Sequence, residues 1–142
     1  MSFDLTVRAD EECSGIADAG PLREFIAALP HIRNLGTDLF VLDDPPARWM
    51  NIDLSVKEAD GGFTAPSELG KSDVNCVWFH IPWDQLGDEP GCDYYPTAWA
   101  VAQFLGWRLY DEQLGEFVAD GEIPSRERTL FGQQVKRALG LE

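Results

Sequence analysis

Val74-Asn75-Cys76-Val77-Trp78-Phe79-His80-Ile81 is the stretch on which the fold turns. It is rich in β-branched and aromatic residues and nearly continuous in apolar character. That composition predicts a strand in the interior of a sheet. Its neighbours in the sheet have to be sought elsewhere in the chain. From Trp49 to Val56, Met50, Ile52, Leu54 and Val56 alternate with Asn51, Asp53 and Ser55, the period of a half-buried strand. Near the N-terminus, Phe3, Leu5 and Val7 alternate in the same way with Asp4 and Thr6. Two shorter strands, near Ile32–Leu35 and Asp38–Leu42, flank Asn-Leu-Gly-Thr-Asp at 34–38, where a glycine able to take positive φ predicts a hairpin turn. Another pair, Trp107–Tyr110 and Glu116–Val118, lies across a turn at Gln113–Gly115.

Helices are expected between these strands. Pro21 opens the first, at a position where a missing N–H costs nothing. Leu22, Phe25, Ile26 and Leu29 follow at spacings of three and four, and Pro30 ends it. Pro96 opens the second, with Trp99, Ala102 and Leu105 on one side and Gly106 placed to terminate it. Ser125 caps a third, Arg126–Leu139, whose inner face carries Leu130, Val135 and Leu139, with Phe131 beside them. The order is β-α-β-β-β-β-α-β-β-α. Short turns between consecutive strands favour an α+β fold, a mainly antiparallel sheet with about three helices packed on one face. Residues 63–73 and 82–93 are expected as loops, and the first is the segment least expected to hold order. The 142 residues suit a single domain, 1–142, and 44% hydrophobic residues supply a core without staples.

Charge is the strongest compositional signal. Eleven Lys and Arg stand against 25 Asp and Glu, a net charge of −14. Residues 72–125 contain a single base, Arg108. Such a surface repels nucleic acid and anionic membranes and speeds encounters with basic proteins; solubility alone is the plainer explanation. The four bases of the expected third helix, Arg126, Arg128, Lys136 and Arg137, are too few for a nucleic-acid footprint, and the last two complement a helix dipole. No apolar run approaches the roughly 20 residues of a membrane span. The opening residues lack the basic and apolar regions of a secretory signal, so a cytoplasmic protein is expected.

The chemistry-bearing residues are sparse. Cys13, Cys76 and Cys92 are odd in number and lack a pairing motif, which argues against a disulfide framework. Cys76 is expected as a buried thiol, Cys13 and Cys92 in exposed loops. Cys76 and His80, four apart on one strand, share a side, but two ligands do not make a zinc site. The acidic run Asp84–Asp93 lacks the ligand spacing of a calcium loop. No nucleophile elbow, phosphate loop or dinucleotide fingerprint occurs. Hence no catalytic residue, metal or cofactor is assigned. Trp78, Trp99 and Trp107 lie in regular elements and are expected in the core. In the acidic loop that follows the central strand, Trp83, Asp84, Asp88, Glu89, Asp93, Tyr94 and Tyr95 combine aromatic anchors with carboxylates, the composition of a contact surface for a basic partner.

Pro96 to Gln113, a helix followed by Gly-Trp-Arg-Leu-Tyr-Asp-Glu-Gln, resembles a pattern in small uncharacterised bacterial proteins, and the opening Met-Ser-Phe-Asp-Leu-Thr-Val is similar to their first strand. Some small acidic bacterial proteins of this kind are immunity proteins, which neutralise secreted toxins. The resemblance covers about a third of the chain and implies a binding role without catalytic residues. The leading expectation is therefore a non-enzymatic acidic protein-binding domain, an immunity-type inhibitor of a basic toxin. A small-molecule binder or enzyme with an aromatic pocket, and an oligomeric accessory protein, are the alternatives. Oligomeric state is not encoded in any motif here.

Overall fold

The computed structural model describes residues 2–44, 48–82 and 94–118. Ten strands occur in these segments: β1 (Ser2–Arg8), β2 (Ala17–Asp18), β3 (Ile32–Asn34), β4 (Leu39–Asp44), β5 (Arg48–Lys57), β6 (Phe63–Thr64), β7 (Asp73–Val74), β8 (Cys76–Pro82), β9 (Arg108–Asp111) and β10 (Glu116–Phe117). Two α-helices accompany them, α1 (Ala19–Ala27) and α2 (Tyr95–Leu105). The third expected helix, Arg126–Leu139, lies outside the described residues.

The main sheet runs β10-β9-β1-β8-β5-β4-β3, with β6 paired to β5. Every adjacent pair in it is antiparallel. The central stretch of the sequence analysis is the central strand, since β8 lies between β1 and β5. It begins later than its apolar character indicates. Asn75 breaks the run by joining its side chain to the backbone of Lys57, whose N–H donates to Asn75 Oδ1 at 2.7 Å. Val74 pairs instead with Ala17, in a separate two-stranded sheet of β2 and β7.

Both helices pack on one face of the main sheet. Leu22, Phe25 and Ile26 of α1 and Ala98, Val101 and Ala102 of α2 join one buried cluster with Leu5, Val7, Ile52, Leu54, Val77 and Phe79. The helices also meet each other, Phe25 stacking on Phe104 with ring centres 4.3 Å apart. α1 starts two residues before Pro21 because Asp18 caps it, accepting from Gly20 N–H at 3.0 Å. α2 stops at Gly106, which takes φ 68°, as its position at the end of the apolar pattern requires.

Two turns differ from their sequence reading. The β3–β4 hairpin owes nothing to positive φ at Gly36; the Asn34 side chain shapes it by accepting from Gly36 N–H at 3.0 Å. Residues 63–73, expected as an unordered loop, contain β6, a 3-10 turn at Pro66–Leu69 and the start of β7. Buried Asp38 anchors that turn. It accepts from Ser67 N–H at 3.0 Å and from the Arg23 guanidinium at 2.6 Å, tying α1 to that turn. Burial opposes a charge on Asp38, yet the bonds from Ser67 and Arg23 outweigh it and hold its carboxyl below the usual range.

Candidate functional site

The face of the main sheet opposite the helices is where the polar members of the alternating strands collect. The register sets Asn51 beside His80 and His80 beside Asp4, and in the next row Asp53 beside Trp78, Trp78 beside Thr6 and Thr6 beside Tyr110. His80 sits between two carboxylates. Its Nδ1 is 2.8 Å from Asp4 Oδ1 and its Nε2 is 3.3 Å from Asp53 Oδ2. The bond to Asp53 raises the imidazole above its ordinary pKa; burial opposes the rise, and Asp4 adds to it. The Trp78 ring stacks on His80 at 5.4 Å, and Phe63, brought over by β6, meets Trp78 edge-on at 5.0 Å.

These groups form an open cleft. One part, of about 220 Å³, is lined by Asp53, Ser55, Phe63, Trp78 and His80. It adjoins a larger part of about 400 Å³ that shares Asp53, Ser55 and Phe63 and reaches Asp38, Ser67 and Glu68. Two polar atoms in this neighbourhood are buried without a hydrogen-bond partner, the acceptor Asp53 Oδ1 and the donor Trp78 Nε1. Such groups are costly to leave unpaired. Asp38 is already committed to Arg23 and Ser67, whereas Asp53 keeps a buried carboxylate oxygen with unused capacity.

Several bases of the sheet are held by acidic or aromatic partners. Arg8, 6% exposed, donates to Glu112 Oε1 at 2.5 Å and lies over the Tyr110 ring at 4.6 Å. Thr6 donates to the same Glu112 oxygen at 2.9 Å. Arg33 pairs with Asp43 at 2.7 Å, and Arg108 lies over Phe117 at 3.9 Å. No group of three or more potential metal ligands occurs among the described residues, and none of the described helices is long and apolar enough to cross a membrane.

The expected contact loop is placed only at its end. Trp83, Asp84, Asp88, Glu89 and Asp93 lie outside the described residues. Tyr94 is 0% exposed in the core cluster and presents no surface to a partner, a correction to its reading as a loop anchor. Tyr95 is half-buried and donates its hydroxyl to Asp111 Oδ2 at 3.0 Å. Asp111 itself is buried, and it also shapes the β9–β10 turn by accepting from Gln113 N–H at 2.9 Å. Both tyrosines therefore serve α2 and the sheet before any partner. Two further readings are corrected. Trp78 is on the face opposite α1 and α2 and half-buried, whereas Trp99 and Trp107 pack against the core. Cys13, expected exposed, is 4% exposed.

Asp53, Phe63 and Glu68 were not singled out as site residues by sequence. The alternation of β5 and β8 carried part of the signal, because it puts Asp53 with Asn51 and Ser55, and Trp78 with His80. What it lacked was the pairing of the two strands. No family model matches the chain, and a comparison with the curated proteins likewise found no match.

Proposed function

We propose that this chain is a non-enzymatic binding domain for a basic protein, and that the face of its sheet opposite α1 and α2 is the docking surface. The immunity-type inhibitor, acting in the cytoplasm on a cationic toxin, is the form of this reading that the sequence resemblance supports. The observation that carries it is the buried, unpartnered Asp53 Oδ1 in a cleft walled by Phe63 and Trp78. A carboxylate oxygen without a donor, beside aromatic rings, suits a Lys or Arg side chain, which supplies both a charged donor and a face for the rings. The free Trp78 Nε1–H would meet a backbone carbonyl next to that side chain. The net charge of −14 and the pairing of Arg8 with Glu112 and of Arg33 with Asp43 favour the same partner by long-range attraction.

The test is a pull-down from lysate of the source cells at low and high salt, with the native chain and an Asp53→Asn variant side by side. One basic protein, held by the native chain, weakened by salt and lost from the variant, is the expected result. A captured protein held equally by both chains would overturn the role of the cleft. Capture of only acidic or salt-insensitive proteins would overturn the basic partner.

A further inference from the structure

Each ring nitrogen of His80 faces a carboxylate oxygen, Nδ1 with Asp4 Oδ1 at 2.8 Å and Nε2 with Asp53 Oδ2 at 3.3 Å. A neutral imidazole carries one N–H and can donate to only one of them. Its other nitrogen then sets a lone pair against an acceptor. Only the imidazolium satisfies both contacts, and the raised pKa of His80 agrees with that geometry. The two carboxylates are not equivalent. Asp4 is tied into the sheet edge: its Oδ1 also accepts from the Ser2 hydroxyl at 2.6 Å, and its carbonyl accepts from Gln113 Nε2 at 3.0 Å. Asp53 lines the cleft and keeps Oδ1 without a partner. Asp4 has the shorter contact, so it keeps the N–H when the ring loses a proton, and Asp53 loses its donor. Among the described residues, these two acids, on β1 and β5, are the charged groups that face the ring. Trp78, stacked on it, and Asn51, beside it on β5, do not titrate. Glu112, whose N–H donates to the Asp4 carbonyl, turns its carboxylate to Arg8 and Thr6. Lys57 lies four residues farther along β5 than Asp53.

We propose that His80 is a built-in counter-cation of Asp53, and that a guanidinium or ammonium group entering the cleft takes its place with release of one proton to solvent. The proposal rests on the reading of the cleft as a cation site and adds the regulation of that site. While the ring is protonated, its Nε2–H occupies Asp53 Oδ2, and its charge opposes a second cation at the same carboxylate. When the ring is neutral, the remaining N–H stays on the Asp4 side. Asp53 then offers both oxygens, and the cleft is more negative by one charge. An arriving cation replaces the lost donor in a charge-assisted bond. The coupling is reciprocal. The factor by which deprotonation strengthens cation binding is the factor by which a bound cation weakens the hold of His80 on its proton. Acid therefore loosens the docking surface and alkali tightens it, with Asp4 as the residue that positions the ring in both states.

The experiment follows the His80 ring nitrogens and the Trp78 indole N–H of the native chain by NMR as pH is raised, without and with Nα-acetyl-argininamide. The guanidinium of this probe stays charged throughout, so any pH dependence belongs to the protein. The indole signal should move on adding the probe, and affinity should rise roughly 5-fold or more from the acid to the alkaline end of the His80 titration. Saturating probe should lower the pKa of His80 by the matching amount. In a His80→Gln variant the indole should still respond, with the pH dependence gone. An indole response of equal affinity at both ends, with the His80 titration unmoved, would overturn the proton exchange and leave the cation site standing. No indole response at any pH would overturn both. The first two readouts use the native chain, so a variant that fails to fold does not remove the test.

Discussion

The two faces of the central sheet are made by the same strands and behave as different materials. On the helix side, Leu5, Val7, Ile52, Val77 and Phe79 are wholly buried and interlock with α1 and α2. On the other side, next to them in the chain, Asp53, Trp78 and His80 face an open cleft and retain two unpaired buried polar atoms. The helix side keeps one such atom, Trp99 Nε1 of α2, at the margin of an apolar core; the second face keeps two side by side, hydrogen-bonding capacity that something else can fill. Stability and the proposed docking surface thereby fall on alternate residues of β5 and β8. Changes on the two faces should separate cleanly in the laboratory.

The largest effect belongs to the covered face. Phe79→Ala removes a fully buried ring from the central strand and should cost about 3–5 kcal/mol in urea unfolding. A cost below about 1 kcal/mol would mean that the two faces are not distinct in this way. Next comes Asp53→Asn, which should weaken binding of a cationic partner roughly 10- to 100-fold, the worth of one charged hydrogen bond. Its effect on unfolding should be small, since the one ion pair it weakens, with His80, is 3.3 Å long and more than a third exposed on the Asp53 side. If the variant instead unfolds readily while binding normally, Asp53 belongs to the structural side of the comparison.

The smallest effect concerns His80. Its pKa is raised in the folded chain by Asp53 and Asp4, so its pairing contributes stability that is fully present below the unfolded value of about 6.5 and lost as pH rises through the folded value. Relative to His80→Gln, the native chain should gain below about 1 kcal/mol at pH 5.5 and nothing at alkaline pH, because the ring is a third exposed. Partner affinity should run the other way. Protonated His80 competes for Asp53, so a cation should bind more tightly as the imidazole loses its proton, which titration calorimetry across that range would detect.

The local pattern was informative where the side-chain period is long enough to measure. Met50–Val56 and Phe3–Val7 alternate cleanly and became β5 and β1, and Gly106 ended α2 where the apolar spacing stops. The two-residue strands β2, β6 and β7 are too short to show any period, and the backbone pairing that makes them is not a property of their side chains. Trp78 and Phe79 were equally apolar neighbours in the sequence. Only the docking of both helices on the Phe79 side left Trp78 in the cleft.

From its own residues the chain determined a mainly antiparallel sheet, its central strand and two of its helices, because alternation, proline placement and capping act between near neighbours. It also determined an acidic surface, since charge adds without regard to fold. Only the tertiary structure decided that Asp53 stands beside Trp78, and that His80 lies between two carboxylates. The physical reason is common to both. Each joins residues far apart in the chain through strand register and loop packing, and those depend on the summed burial of the whole core rather than on any local run of sequence.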